Sequence, residues 1–186
     1  MISVVLKNNK IMMIRKANGT DAKELLGYLK KVGGESGNLT FGSEGIPLTE
    51  AEEIAYLNKV SALEHYTMLL GIVDDEIISA GSLSGIDRPR IRHNAEIGLS
   101  VKKAYWHQGV ATAMMQALID FAKNGKVVSN IMLSVRTDNE HAVHLYHKCG
   151  FQTLGRHERH VKINDQYYDT YIMQLMLPLR KDTSHD

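Results

Sequence analysis

The chain has 186 residues, 44% of them apolar, and its 22 Lys and Arg against 21 Asp and Glu leave a formal charge of +1. So even a balance gives no global attraction to nucleic acid or to an acidic membrane surface, and no apolar run is long enough to cross a bilayer. A lone cysteine, Cys149, excludes an internal disulfide and reads as a packing residue.

In chain order, residues 1–6 are apolar, but they are too few for a signal-peptide core and lack a preceding basic region, so a cytoplasmic protein is expected. Residues 10–16 read as the first strand. Thr20-Asp21 then caps a helix whose Leu25, Leu26 and Leu29 share one face, with Gly33-Gly34 as its stop. The glycine-rich connector over residues 33–45 reads as a mobile lid in which Glu35 and Glu44 could attract a cationic amine. Thr49-Glu50-Ala51-Glu52 has capping-box spacing, and the helix it opens should carry Ile54, Leu57 and Val60 inward. Residues 66–73 and 76–83 are β-prone around Asp74-Asp75, and residues 95–101 complete a meander. In that last strand Ala95, Ile97, Leu99 and Val101 alternate with Glu96, Gly98 and Ser100. Glu96 therefore points off the apolar face, and Gly98 suggests a bulge or a close approach.

Tyr105 to Met115 joins this strand to a helix through a small turn holding Gly109. The first turn of a helix has backbone N–H groups with no intrahelical partner, and the helix dipole adds partial positive charge there, so an anion is the natural complement. Gly109 removes a blocking Cβ, and Ala111 and Thr112 are small enough for a diphosphate to lie on the backbone. No Gly-Lys-Ser/Thr for a triphosphate is present, nor Gly-x-Gly-x-x-Gly for a dinucleotide. Residues 131–135 alternate as a strand. Arg136-Thr137-Asp138-Asn139 then opens a helix through Ala142, Leu145, Tyr146 and Cys149, ended by Gly150-Phe151. Residues 151–163 and 167–177 form a terminal hairpin around Asn164-Asp165, and no repeat or linker divides the chain. One domain over 1–186 is expected, with a core at 11–178 and short flexible tails.

Trp106-His107-Gln108-Gly109-Val110-Ala111 resembles the Gln/Arg-x-x-Gly-x-Gly/Ala acyl-CoA loop of the GNAT family of N-acetyltransferases, with Trp106 in place of the usual polar residue. Asn139, Ala142, Leu145-Tyr146 and Gly150-Phe151 resemble the second motif of that family in the matching order. The resemblance implies an α/β fold, a mixed, mostly antiparallel sheet of six to seven strands flanked by about four helices. It also implies acetyl-CoA as donor, no metal, and transfer to a primary amine by direct attack in a ternary complex.

Site residues follow from the same resemblance. His107, Gln108, Gly109, Val110, Ala111 and Thr112 would hold the pyrophosphate. Leu99, Ser100 and Val101 would bond a pantetheine arm inserted between splayed strands, and Asn139 would hold the same arm. Tyr146, about two helical turns after Asn139, would protonate the departing thiolate, and Glu96 would take the ammonium proton through water. A backbone N–H near Leu99 would stabilise the carbonyl oxygen as charge develops. Trp106 reads as packing beside the loop.

His141, His144 and His147 share one helix, but at about 100° per residue His141 and His147 lie on nearly opposite sides, so the set does not chelate one ion. The acidic connector fits a polyamine, an amino sugar or a peptide N-terminus equally, and a small-molecule amine acceptor is slightly favoured. A protein N-terminal or lysine acetyltransferase, and a non-catalytic acyl-CoA-binding regulator, are the alternatives. The pairing of Glu96 with Tyr146 favours an enzyme, no nucleic-acid or membrane partner is expected, and a homodimer is compatible with the chain.

Overall fold

The computed structural model describes residues 1–179; the C-terminal part of the expected tail lies outside them. Strands β1 (Ile2–Val5), β2 (Ile11–Lys16), β3 (Tyr66–Val73), β4 (Glu76–Gly85), β5 (Asn94–Val101), β6 (Asn130–Arg136), β7 (Gln152–Ile163) and β8 (Gln166–Met176) form one sheet in the order β1-β2-β3-β4-β5-β6-β8-β7. Every neighbouring pair is antiparallel except β5 and β6. Among the described residues four α-helices flank it: α1 (Ala22–Glu35), α2 (Glu50–Ser61), α3 (Val110–Asn124) and α4 (Glu140–Lys148).

The α/β architecture is the one expected, with eight strands among the described residues rather than six or seven. The extra strand corrects the reading of a loose N-terminus. Ile2–Val5 pairs with β2, the Leu6 amide closes the turn on the Lys10 carbonyl at 2.8 Å, and Leu6 itself is buried in the core.

Helices divide the core between two sheet faces. On one side α3 sends Met114, Met115 and Leu118 against Ile14, Leu83 and Ile97, and α4 packs Ala142, Val143 and Tyr146 onto the same cluster. On the other, α1 and α2 bury Leu25, Tyr28, Leu29 and Leu57 against Leu70 and Ile77. Each such apolar side chain removed from water contributes roughly 1.5–3 kcal/mol, which is what holds the helices to the sheet.

Local signals set the helix starts. The Thr49 hydroxyl accepts from the Glu52 amide at 3.3 Å while the Glu52 carboxylate accepts from the Thr49 amide at 2.8 Å, a reciprocal cap. Downstream the inward face is Glu53, Leu57 and Val60, and Ile54 is 37% exposed, which corrects its expected burial. The inward phase is set by Leu57, and Glu53, one turn earlier, is carried in with it. The cap before α1 is Asn18, which satisfies the Thr20 amide and receives the Asp21 carboxylate on its own N–H, and Asp21 also grips Arg15 in a bidentate pair at 2.6 and 2.7 Å.

Gly33 and Gly34 do not stop α1. The helix runs on to Glu35, and Gly33 serves a close approach instead: a Cβ there would sit 1.9 Å from the Gly42 carbonyl oxygen. Likewise Gly98 carries no bulge, because the β4–β5 ladder passes unbroken through Ser82–Gly98. The turns at Asp74-Asp75 and Asn164-Asp165 take positive φ at both residues, the geometry of tight two-residue hairpins. Among the described residues no helix is long and apolar enough to cross a membrane.

Candidate coenzyme and acyl-transfer site

The parallel ladder between β5 and β6 ends at Glu96–Met132, although β5 continues to Val101 and β6 to Arg136. Beyond that rung the strands part. Among the described residues the β6-facing edge of residues 97–101 has no strand partner, while the other edge stays paired with β4 as far as Ser79–Val101. An unpaired strand edge is a template for an extended ligand with amide groups of its own.

The gap opens into a cleft of about 1110 Å³ lined by Leu99, Val101, His107, Gly109, Val110, Ala111, Thr112, Asn139 and Tyr146. At its floor the chain makes the strand-to-helix turn. His107 (φ 60°) and Gly109 (φ 90°) both adopt left-handed backbone, which costs little only at glycine, and apart from its chain neighbours no atom of the described residues lies within 4 Å of where a Gly109 Cβ would stand. The first capped bond of α3 is Ala113 N–H to the Gly109 carbonyl at 3.1 Å. The N–H groups of Gln108 to Thr112 have no protein partner among the described residues. Small side chains and aligned free amides at a helix start suit a diphosphate.

Support for the turn comes from both flanks. The Gln108 carbonyl accepts the Lys7 amide at 3.2 Å, which ties the loop to the end of β1, and the Trp106 indole donates to the Val101 carbonyl at 2.8 Å. Trp106 is thus a brace that also lines the cleft.

On α4, Asn139 caps the helix by accepting the Ala142 amide at 3.3 Å. Tyr146 lies half-buried on the cleft wall with its ring 6.0 Å from Phe151, and its hydroxyl has no protein partner among the described residues. Burial pushes its phenol up to about 12, so it stays protonated at neutral pH. Burial also raises the Cys149 thiol, which favours the inert form.

Three of the expected residues stand outside the cleft lining. Ser100 points to the opposite face, where its hydroxyl lies 3.0 Å from the Tyr28 hydroxyl and 3.3 Å from the Ala80 carbonyl. Gln108 is also outside it, and its carbonyl is spent on the Lys7 amide. Glu96 is exposed on the α1/α2 side of the sheet, at the last rung before the strands part. Glu35 and Glu44 each accept a backbone amide, of Lys103 at 2.6 Å and Gly42 at 2.7 Å, which holds the connector in place while leaving both carboxylates charged.

Val4, Lys7, Asn38, Tyr105, His141, His144 and Lys148 also line the wall, although no motif marks them as site residues. The helix phase of Asn139 and Tyr146 could have found the α4 residues. Nothing local marks Lys7 or Asn38. His107 and His141 meet edge to face at 5.0 Å at the rim, and among the described residues no group of three or more His, Cys, Asp or Glu is placed to hold a metal.

A family model for the acetyltransferase (GNAT) family matches residues 39–151, more than half of the chain. The chain belongs to the GNAT acetyltransferase family. The GNAT motifs at Gln108–Ala111 and Asn139–Phe151 fall inside the matched stretch and supply both walls of the cleft.

Among relatives, an L-amino acid N-acetyltransferase of Escherichia coli is 31% identical over 105 residues, covering 56% of this chain and 65% of that protein. An N-alpha-acetyltransferase, RimI, of Mycobacterium tuberculosis is 36% identical over 76 residues, 41% of this chain and 44% of its own. The chain thus spans less than two thirds of the length of either relative. A solved GNAT acetyltransferase from Streptococcus pneumoniae superposes with a TM-score of 0.87 at 30% identity, covering 89% of this chain and 99% of that one. The YncA structure of Salmonella typhimurium, solved with its cofactor acetyl-CoA, superposes at 0.77 with 17% identity, covering 90% and 94%, and speaks for the fold alone.

Proposed function

We propose that this GNAT protein moves an acetyl group from acetyl-CoA to a primary amine by direct attack in a ternary complex. The observation that carries the reading is the unpaired edge of β5 beyond Glu96, opening into the same cleft as the free amides of Gly109 to Thr112. Those amides hold the pyrophosphate, and the edge at Leu99 to Val101 pairs with the pantetheine arm as a surrogate strand. Asn139, at the facing helix start, holds the same arm. This arrangement puts the thioester between the parted strands.

Acyl transfer needs a neutral amine, a polarised carbonyl and a proton for the departing thiolate. Glu96, at the apex of the split on the acceptor side, takes the ammonium proton through water. The freed lone pair attacks the thioester carbon, and a β5 amide near Leu99 stabilises the oxygen as it gains charge. On collapse the C–S bond breaks, Tyr146, kept protonated by burial, hands its proton to the sulfur, and the second proton shed by the acylated nitrogen returns to the phenolate through water.

A small-molecule amine is the favoured acceptor, in line with the Escherichia coli relative that acts on L-amino acids. The mycobacterial N-alpha-acetyltransferase supports a peptide N-terminus as the second reading. The test is thiol release from acetyl-CoA with a panel of amino acids, polyamines and peptides, beside calorimetry of CoA binding. Amine-dependent release is expected. Tight CoA binding with no release for any amine would make the protein a coenzyme-binding regulator, and no CoA binding would end the reading altogether.

A further inference from the structure

The wide end of the β5–β6 split is not open on both faces of the sheet. As α1 ends, the Glu35 carboxylate accepts the Lys103 amide at 2.6 Å, just past the last residue of β5. Two residues later the Gly37 carbonyl accepts from Arg136 Nη1 at 2.7 Å, and Arg136 is the last residue of β6. Residues 35–38 therefore run as a strap from one parted strand to the other. Asn38, the next residue, lines the cleft.

Arg136 is built to hold that position. Its Nε and Nη2 grip Asp138 in a fork at 2.9 and 2.6 Å, its guanidinium lies 3.7 Å from the Tyr168 ring centroid, and its side chain is 12% exposed. With two donors on Asp138 and a ring beneath, the remaining nitrogen is aimed at Gly37. Gly37 is matched to it, since a Cβ there would fall 2.9 Å from Arg136 Nη1 and 3.1 Å from Ile163 Cδ1.

We propose that Arg136 is a positioning residue that ties residues 35–38 across the parted ends of β5 and β6, fixing a cover over the coenzyme arm and leaving the acceptor to enter over Glu96, Gly98 and Ser134. The inference rests on the reading that the arm of acetyl-CoA lies in the split. Of the residues on that sheet face near the apex, Glu96, Gly98 and Ser134 are exposed, so the way in stays open there. Arg136 touches neither reacting group. It acts by removing the freedom of the strap before the coenzyme arrives, so that binding does not have to order it.

The test compares wild type, Arg136→Ala, Arg136→Lys and Gly37→Ala by CoA calorimetry, steady-state kinetics, thermal unfolding and amide exchange of residues 35–38. A lost charge-assisted hydrogen bond with its ordering role predicts about tenfold weaker CoA binding in Arg136→Ala and faster exchange in the strap, with kcat reduced less than the affinity. Arg136→Lys keeps the charge without the fork and recovers part of the affinity. Gly37→Ala, which wedges Nη1 away while leaving Arg136 present, reproduces the loss and carries the test if Arg136→Ala does not fold. Wild-type CoA affinity and strap exchange in Gly37→Ala and Arg136→Ala would overturn the proposal. Absence of CoA binding in the wild type would instead remove the reading on which it stands.

Discussion

Tyr146 shows how a single side chain acquires its chemistry from where it is packed. An exposed phenol would hold its proton at neutral pH as well, but burial widens the margin, and among the described residues the hydroxyl has no protein partner. Replacing Tyr146 by Phe keeps the ring against Phe151 and removes only the donor. We expect kcat to fall by about a hundredfold, in the range of a lost general acid, with CoA affinity within about twofold of wild type. Equal losses in turnover and binding, from paired kinetics and calorimetry, would assign Tyr146 to coenzyme binding. Gly109 is constrained by backbone rather than chemistry. At φ 90° an added Cβ meets no neighbour yet forces a left-handed residue, so Gly109→Ala should cost about 1–2 kcal/mol in urea unfolding and weaken CoA binding as the amides turn away.

At the scale of elements, the signals legible in sequence were those that act over a few residues. The capping box at Thr49 and Glu52 forms as its spacing implied, because both hydrogen bonds lie within one turn. Thr49→Ala should lower stability by about 1 kcal/mol, read by urea denaturation, and leave CoA binding unchanged. The facing of α2 was less legible. Ile54 and Glu53 are neighbours in sequence, and which of them is buried depends on how α2 lies across β3, a choice made outside the helix. The same holds for Gly33, whose glycine looks like a helix stop until the connector carbonyl of Gly42 is seen against it.

The whole molecule stores titration in its folded state, and two windows follow. Tyr146 and Tyr28 are both raised by burial, so between about pH 10 and 12 the folded protein holds protons that the unfolded chain has released. Their contribution is complete below pH 10 and is lost as pH rises through that window. At the other end, the Arg15 guanidinium holds the Asp21 carboxyl below the usual range, so this pair stabilises above about pH 4 and its contribution falls away in stronger acid. A scan of Tm against pH should show both flanks. Arg15→Gln should flatten only the acid one, and an unchanged acid flank in that variant would place the acid sensitivity elsewhere.

Taken alone, the order of residues determined the kinds of elements, their sequence along the chain, the glycine turn and the two family motifs, because each depends on periodicity or on contacts a few residues apart. Only the tertiary structure decided where β5 and β6 part, that residues 2–5 add an edge strand whose continuation braces the loop through Lys7, and that contacts at Lys103 and Arg136 anchor one strap at the ends of two strands. These are pairings between segments up to about a hundred residues apart. Their strength comes from burial and from satisfying backbone groups in a shared interior, and neither exists until the chain has folded.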